Sequence, residues 1–160
     1  MEIALFEPRI PQNTGSIART CAAFNLSLNL IEPLGFQIDD KHLKRAGLDY
    51  WHLLNVNYYE NFNNFKESNK QKRIIAFSKK NGIYLNEFSF EDNDILLFGR
   101  EDNGLPYEII KESNALVSIY MPKKEQNSRL RDGVRSLNIS VACGIAIYEA
   151  HKQLNKINYQ

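Results

Sequence analysis

The sequence predicts an α/β fold, a mostly parallel sheet flanked by helices in one domain. Three observations carry that prediction. Short apolar runs alternate along the chain with longer stretches of helical periodicity, the pattern of strand–helix–strand units. The clearest runs, 73–78 (RIIAFS) and 94–99 (DILLFG), are apolar nearly throughout, as strands buried on both faces are. The chain has 160 residues, enough for one core, and no linker, repeat or low-complexity tract divides it.

Each element follows in order. Residues 2–7 (EIALFE) read as the first strand, closed by Pro8 and Pro11. Asn13 or Thr14 can cap a helix running to Phe24, with Ile17, Cys21 and Phe24 on one face. Residues 28–32 form a second strand, ended by Pro33 and Gly35, and 53–58 a third, followed by a short helix over 60–68. After the strands 73–78 and 94–99, Pro106 sits in the first turn of a helix reaching Ser113. Residues 115–121 are the last strand, stopped by Pro122. A long helix then spans 137–154 with no proline.

Composition removes several classes. Lys+Arg number 20 against 19 Asp+Glu, a net charge of +1, so the protein is not uniformly basic and does not advertise nucleic acid by its total. The positives are nevertheless clustered: Lys41, Lys44 and Arg45 lie together, as do Lys70, Lys72 and Arg73, and Lys79 and Lys80. Residues 123–135 carry five positives and two negatives. No run approaches a membrane span, and the N-terminus lacks the pattern of a signal peptide. Cys21 and Cys143 cannot build a disulfide scaffold, and they sit on apolar helical faces as core residues. The three histidines share no spacing, so no metal is expected. These features together point to the cytoplasm.

In parallel sheets ligands bind beyond the carboxyl ends of the strands, which directs attention to 7–15, 78–82, 99–106 and 122–138. The first segment ends in a helix N-terminus with Arg19 two turns in. It suits an anion or a polarised oxygen, and equally an ordinary capped helix with a surface arginine. It lacks the G-x-G-x-x-G turn of a dinucleotide fold. The second, Gly99-Arg100-Glu101-Asp102-Asn103-Gly104-Leu105-Pro106, lacks the Lys-Ser/Thr of a phosphate loop. There Gly99 permits close approach of a ligand to the backbone, and Glu101 can accept hydrogen bonds. A plain turn with Gly104 at positive φ reads from the same pattern. The third, Arg135-Ser136-Leu137-Asn138, opens the last helix, where Ser136 or Asn138 can serve as cap or contact a polar ligand.

Taken in order, Pro11-Gln12-Asn13-Thr14-Gly15-Ser16-Ile17-Ala18-Arg19, Phe98-Gly99-Arg100-Glu101 with Gly104-Leu105-Pro106, and Arg135-Ser136-Leu137-Asn138-Ile139-Ser140-Val141-Ala142 resemble the three motifs of SPOUT-superfamily, SpoU-type RNA ribose 2′-O-methyltransferases. Ile31-Glu32-Pro33-Leu34-Gly35-Phe36, Asp39-Asp40-Lys41, Arg45-Ala46-Gly47-Leu48-Asp49-Tyr50 and Tyr148-Glu149-Ala150 resemble the minimal enzymes acting on the wobble cytidine or uridine, position 34, of tRNA-Leu. The 15 residues between Pro122 and Asn138 exceed the loop of that subfamily.

The resemblance implies an α/β knot, a deep trefoil formed by the C-terminal segment, although threaded chains are otherwise rare. It implies S-adenosyl-L-methionine as donor, S-adenosyl-L-homocysteine as product, tRNA as substrate, and a homodimer whose active sites are completed by the partner chain. By position, the cofactor lies against Phe77, Gly99, Met121 and Ser136, with Leu137 and Asn138 nearby, while Glu101 and Asn138 order the knot loops. Arg19, with Asn13, matches the catalytic positions, and Tyr148 a position of dimer packing. Lys41, Lys44, Arg45, Arg129, Arg131 and Arg135 are the RNA-contact candidates. Methylation at another tRNA or rRNA position, and a non-catalytic RNA-binding dimer, are the alternative readings.

Overall fold

A computed structural model describes residues 1–37, 48–122 and 136–154. Seven strands are described: β1 (Glu2–Phe6), β2 (Ser27–Ile31), β3 (Val56–Tyr59), β4 (Ile74–Phe77), β5 (Ile83–Tyr84), β6 (Ile95–Phe98) and β7 (Ala115–Ser118). They form one sheet in the order β3-β2-β1-β6-β4-β7-β5, and every ladder within it is parallel. The helices are α1 (Pro11–Ala23), α2 (Phe62–Ser68), α3 (Tyr107–Glu112) and α4 (Ile139–Gln153), with a 3₁₀ turn at Leu48–Leu53. The α/β architecture expected from the sequence is therefore observed. The knot implied by the resemblance would involve residues 123–135, which lie outside the described residues.

Period-2 alternation divides the strand side chains between two cores. Ile3, Leu5, Ile75, Phe77, Leu96 and Phe98 point to the face covered by α1 and α4, where Ile17, Cys21, Cys143 and Ile147 meet them. Ala4, Phe6, Ile74, Ala76, Ile95 and Leu97 point to the other, packed with Phe62 and Phe65 of α2. Burial pushes the Cys21 thiol up to about 12 and, with Cys21 close by, raises Cys143 well above its usual range. Both cysteines are core residues, without nucleophilic character at neutral pH.

Element ends differ from expectation in instructive places. Helix α1 starts at Pro11 with Ile10 as its cap residue, and no side chain caps it. The fixed φ of Pro11 suits the first helical position, so Asn13 and Thr14 fall inside the helix rather than at its cap. The third strand begins at Val56 because Leu48–Leu53 winds into the 3₁₀ turn. The last strand stops at Ser118, whose Oγ accepts the Gly82 N–H at 3.0 Å, and this turn carries the unanticipated two-residue β5.

The strand order places β6 between β1 and β4, so the first three strands spread one way from β1 and the remainder lie beyond β6. Loops leaving β1, β4, β6 and β7 meet at the carboxyl edge of the sheet, beside the opening of α4. That is where this architecture offers a ligand crevice.

Candidate functional site

A cavity of about 400 Å³ opens at that edge. Phe77 and Phe98, from adjacent strands, stack at 4.7 Å between centroids with a 19° interplanar angle and form part of its apolar wall. Ile119, Met121, Leu137, Ile139 and Ala142 extend this wall, while Asn13, Ser78, Glu101, Asp102, Asn103, Ser136 and Asn138 line it with polar groups. A pocket of this size, with an apolar wall facing a polar one of comparable extent, suits a small organic ligand that is itself part apolar and part charged.

The loop after β6 is tightly built. Arg100 and Gly104 exchange backbone hydrogen bonds at 3.1 and 2.8 Å, and Gly104 adopts φ 70°, the left-handed turn position expected of it. A Cβ on Gly99 would lie 2.2 Å from the carbonyl carbon of Gly104. On its Cβ side, the close approach that Gly99 permits is thus made by the protein's own loop. Gly99 still contributes to the cavity wall.

Glu101 gathers the loop before α1. Its Oε2 accepts the Arg9 N–H at 2.9 Å, and its Oε1 accepts the Ile10 N–H at 3.1 Å and Asn13 Nδ2 at 3.2 Å. Asn13 Oδ1 in turn accepts from Asn138 Nδ2 at 3.0 Å. Asn138 caps α4, its Oδ1 accepting from Ser140 N at 2.8 Å and Ser140 Oγ at 2.7 Å. One chain of hydrogen bonds therefore ties together three segments 88 and 125 residues apart. It also fixes the Asn13 amide orientation, since only its nitrogen can donate to a carboxylate.

A second polar cluster borders it. Arg100 donates to Asp102 through Nε at 3.0 Å and Nη2 at 2.7 Å, and its Nη1 lies 3.6 Å from Glu7 Oε2, which also pairs with Arg9. The Asp102 carboxylate holds the Arg100 guanidinium above its ordinary range, and is itself held below the usual carboxylate value.

Phe77, Gly99, Glu101, Met121, Ser136, Leu137 and Asn138 all line the cavity, and so does Asn13. Arg19 is exposed on α1 and is not among the lining residues. Six residues beyond Asn13, it projects about 9 Å further along the axis and roughly 240° around it. Tyr148 is 47% exposed on α4, away from this cavity, beside a shallow apolar groove with Leu85, Ile119, Tyr120 and Ile145. Lys41, Lys44, Arg45, Arg129, Arg131 and Arg135 lie outside the described residues. Ser78 and Lys79 also line the cavity; the sequence flags them only through the post-strand segment 78–82 and the Lys79–Lys80 pair, without a site role for either.

The sequence profile of the SpoU rRNA Methylase family matches residues 1–148. The chain belongs to that family. Its relatives include a tRNA (cytidine(34)-2′-O)-methyltransferase of Saccharophagus degradans, 41% identical over 155 residues covering 95% of this chain and 94% of that protein. A solved structure giving insights into the 2-OH methylation of C/U34 on tRNA superposes with a TM-score of 0.86 at 41% identity, covering 98% of this chain and 97% of its own. The SpoU methyltransferase AviRb of Streptomyces viridochromogenes, solved with AdoMet, shares the fold at a TM-score of 0.82 and 20% identity, over 99% of this chain and 59% of its own. Among the described residues, no helix is long and apolar enough to cross a membrane, and no group of three or more His, Cys, Asp or Glu could hold a metal ion.

Proposed function

We propose that this SpoU-family protein methylates the ribose 2′-hydroxyl of tRNA at cytidine or uridine 34, with S-adenosyl-L-methionine as donor. The observation that carries the reading is near end-to-end identity with an enzyme named for that reaction, 41% over 95% of the chain. The cavity supports it independently. Its stacked Phe77–Phe98 wall suits a purine, and its polar side offers amides and hydroxyls to a ribose and a zwitterionic tail. Phe77, Gly99, Met121, Ser136, Leu137 and Asn138 would hold the cofactor, with Glu101 bracing the wall. When bound, the cofactor supplies an electrophilic methyl on a sulfonium.

The chain's own residues have three tasks. The apolar wall excludes water from the methyl-bearing centre. The Glu101–Asn13–Asn138 chain holds the cavity's polar side in one arrangement. Arg19 orients the ribose and an adjacent phosphate and stabilises the developing alkoxide; a guanidinium, a donor with no acceptor site, cannot take the proton, so the proton leaves to phosphate or water. Arg19 lies outside its own chain's cavity lining, which supports a homodimer in which it serves the partner's site.

A homodimer also accounts for α4. Cys143, Ala146, Ile147 and Ala150 are buried, yet Val141, Ile145 and Tyr148, at helical spacing on another face, are 50, 39 and 47% exposed. A helix apolar on two faces calls for cover on both. With the family's knot and a tRNA substrate, this gives a cytoplasmic enzyme. The test is methyl transfer to a total tRNA pool followed by mass-spectrometric mapping. A 2′-O-methyl at nucleotide 34 is expected, and a mark elsewhere would replace the substrate assignment. Arg19→Lys should lose most turnover, because it keeps the charge but not the planar fork. Near-normal turnover would refute the role given to Arg19.

A further inference from the structure

Four formally charged residues line the cavity: Lys79, Arg100, Glu101 and Asp102. Three have their charge engaged within the wall. Arg100 and Asp102 hold each other through two hydrogen bonds at 3.0 and 2.7 Å, and Asp102 also accepts the Asn103 N–H at 2.8 Å. Glu101 takes three N–H donors at 2.9, 3.1 and 3.2 Å. Lys79 differs. It is exposed, and its ammonium makes no ion pair or hydrogen bond among the described residues.

The backbone that carries Lys79 is nevertheless held in place. The preceding Ser78 N–H donates to the Val117 carbonyl at 3.0 Å, and Gly82 N–H donates to Ser118 Oγ at 3.0 Å, anchoring both ends of the turn to β7. A Cβ on Gly82 would lie 2.6 Å from the Val117 backbone, so the turn packs against that strand without a gap. An anchored backbone that presents a solvated ammonium on a flexible stem is how lysine meets an anionic oxygen as a point charge.

Resting on the methyltransferase reading above, we propose that Lys79 holds a phosphate flanking the target ribose at the mouth of the cavity. The reacting 2′-hydroxyl must come within bonding distance of a methyl held inside. Its neighbouring ring carbon carries the 3′-phosphate, and the 5′-phosphate follows on the other side, so both are delivered to the mouth with the ribose. Arg19 can meet only one of them. Lys79 is the cavity-lining cation left uncommitted among the described residues. The carboxylate of the cofactor is the other source of an anionic oxygen, and the two sources respond differently.

The experiment uses the full chain with Lys79→Met and Lys79→Arg. It measures steady-state methyl transfer to tRNA at several salt concentrations and calorimetric titration with S-adenosylhomocysteine. Lys79→Met should raise the KM for tRNA about three- to ten-fold and reduce the salt slope by about 0.7–0.9, one phosphate contact, while S-adenosylhomocysteine binding stays within about two-fold. Lys79→Arg should restore most of the tRNA KM. Weakened S-adenosylhomocysteine binding with unchanged tRNA KM and slope would assign the ammonium to the cofactor carboxylate and overturn the proposal. No change in either would make Lys79 a solvated surface charge. Wild-type protein that binds S-adenosylhomocysteine but methylates no tRNA would refute the substrate reading itself, a result separable from failure at Lys79.

Discussion

Replacing Glu101 with alanine removes three acceptor contacts at once, to Arg9 N, Ile10 N and Asn13 Nδ2. The bond to Ile10 is exposed, and water can replace it at little cost. The other two are part-buried and accepted by an ionised carboxylate, the class contributing about 1.5–3 kcal/mol each. Taking the low end for partial exposure, the variant should lose about 3 kcal/mol of unfolding free energy, or about 6–12 °C in Tm at this chain length. Glu101→Gln should fall between the two. With its oxygen at the Oε1 position it keeps Ile10 and Asn13 but turns an NH₂ toward the Arg9 N–H, a donor facing a donor. Denaturant unfolding at fixed protein concentration measures the stability, and S-adenosylhomocysteine titration of the folded variants measures the cavity. Binding should weaken along with stability, because Asn13 released from Glu101 no longer presents its oxygen to Asn138. A Glu101→Ala protein within about 0.5 kcal/mol of wild type would refute the bracing role, since surface substitutions lie within that range.

Two further outcomes follow from polar groups remote from the cavity. Arg73 grips the fully buried Asp94 through Nε at 2.7 Å and Nη2 at 2.8 Å, so Arg73→Leu should cost about 3 kcal/mol in denaturant unfolding by removing the counter-charge of a buried carboxylate, and Arg73→Leu with Asp94→Asn should recover part of it, since the amide oxygen can still accept the Glu91 N–H. Burial raises the Glu2 carboxyl, but hydrogen bonds from Lys72 and Asn29 outweigh it and hold it below its usual 4.5. The native state then binds fewer protons than the unfolded one, so this contribution is present above 4.5 and is lost as pH falls through the folded value. Unfolding of Glu2→Gln against wild type should show a deficit at neutral pH that shrinks in acid; a constant deficit would refute it.

The sheet was legible because its strands announce themselves. Runs such as IIAF and ILLF, short, rich in β-branched and large apolar residues and bounded by polar or turn residues, suit strands buried on both faces better than helices. Strand order followed less directly. Nothing local in 94–99 says that it inserts between β1 and β4, since that depends on pairing with β1 some 90 residues away as well as with β4 about 20 away. β5 was missed because two exposed residues carry no periodic signal; the turn tied to Ser118 creates it. The cavity residues were legible in part from strand ends and in part from motif resemblance. Glu101 could be named as an acceptor, but its donors Arg9 and Ile10 are backbone groups, which side-chain identity cannot reveal. Lys79 was hidden for the opposite reason: as one of two adjacent lysines in a charged stretch, it has the sequence look of any solvated surface.

The last helix shows why such a short chain can carry a site of this complexity. Its first residues line the cavity, with Asn138 as cap and Ile139 and Ala142 on the apolar wall. Cys143, Ala146, Ile147 and Ala150 complete the core over the sheet, and Val141, Ile145 and Tyr148 face outward. A substitution on this helix therefore cannot be assigned to one function by position alone. It can be assigned by turn, because cavity contacts are confined to the first turn and the exposed stripe continues through Tyr148. Loss of the Asn138 cap should perturb the cavity first, since Asn138 also donates to Asn13, whereas truncating Tyr148 leaves that hydrogen-bond chain intact. The two lesions thus separate ligand binding from association on one element, which is the distinction the homodimer reading requires.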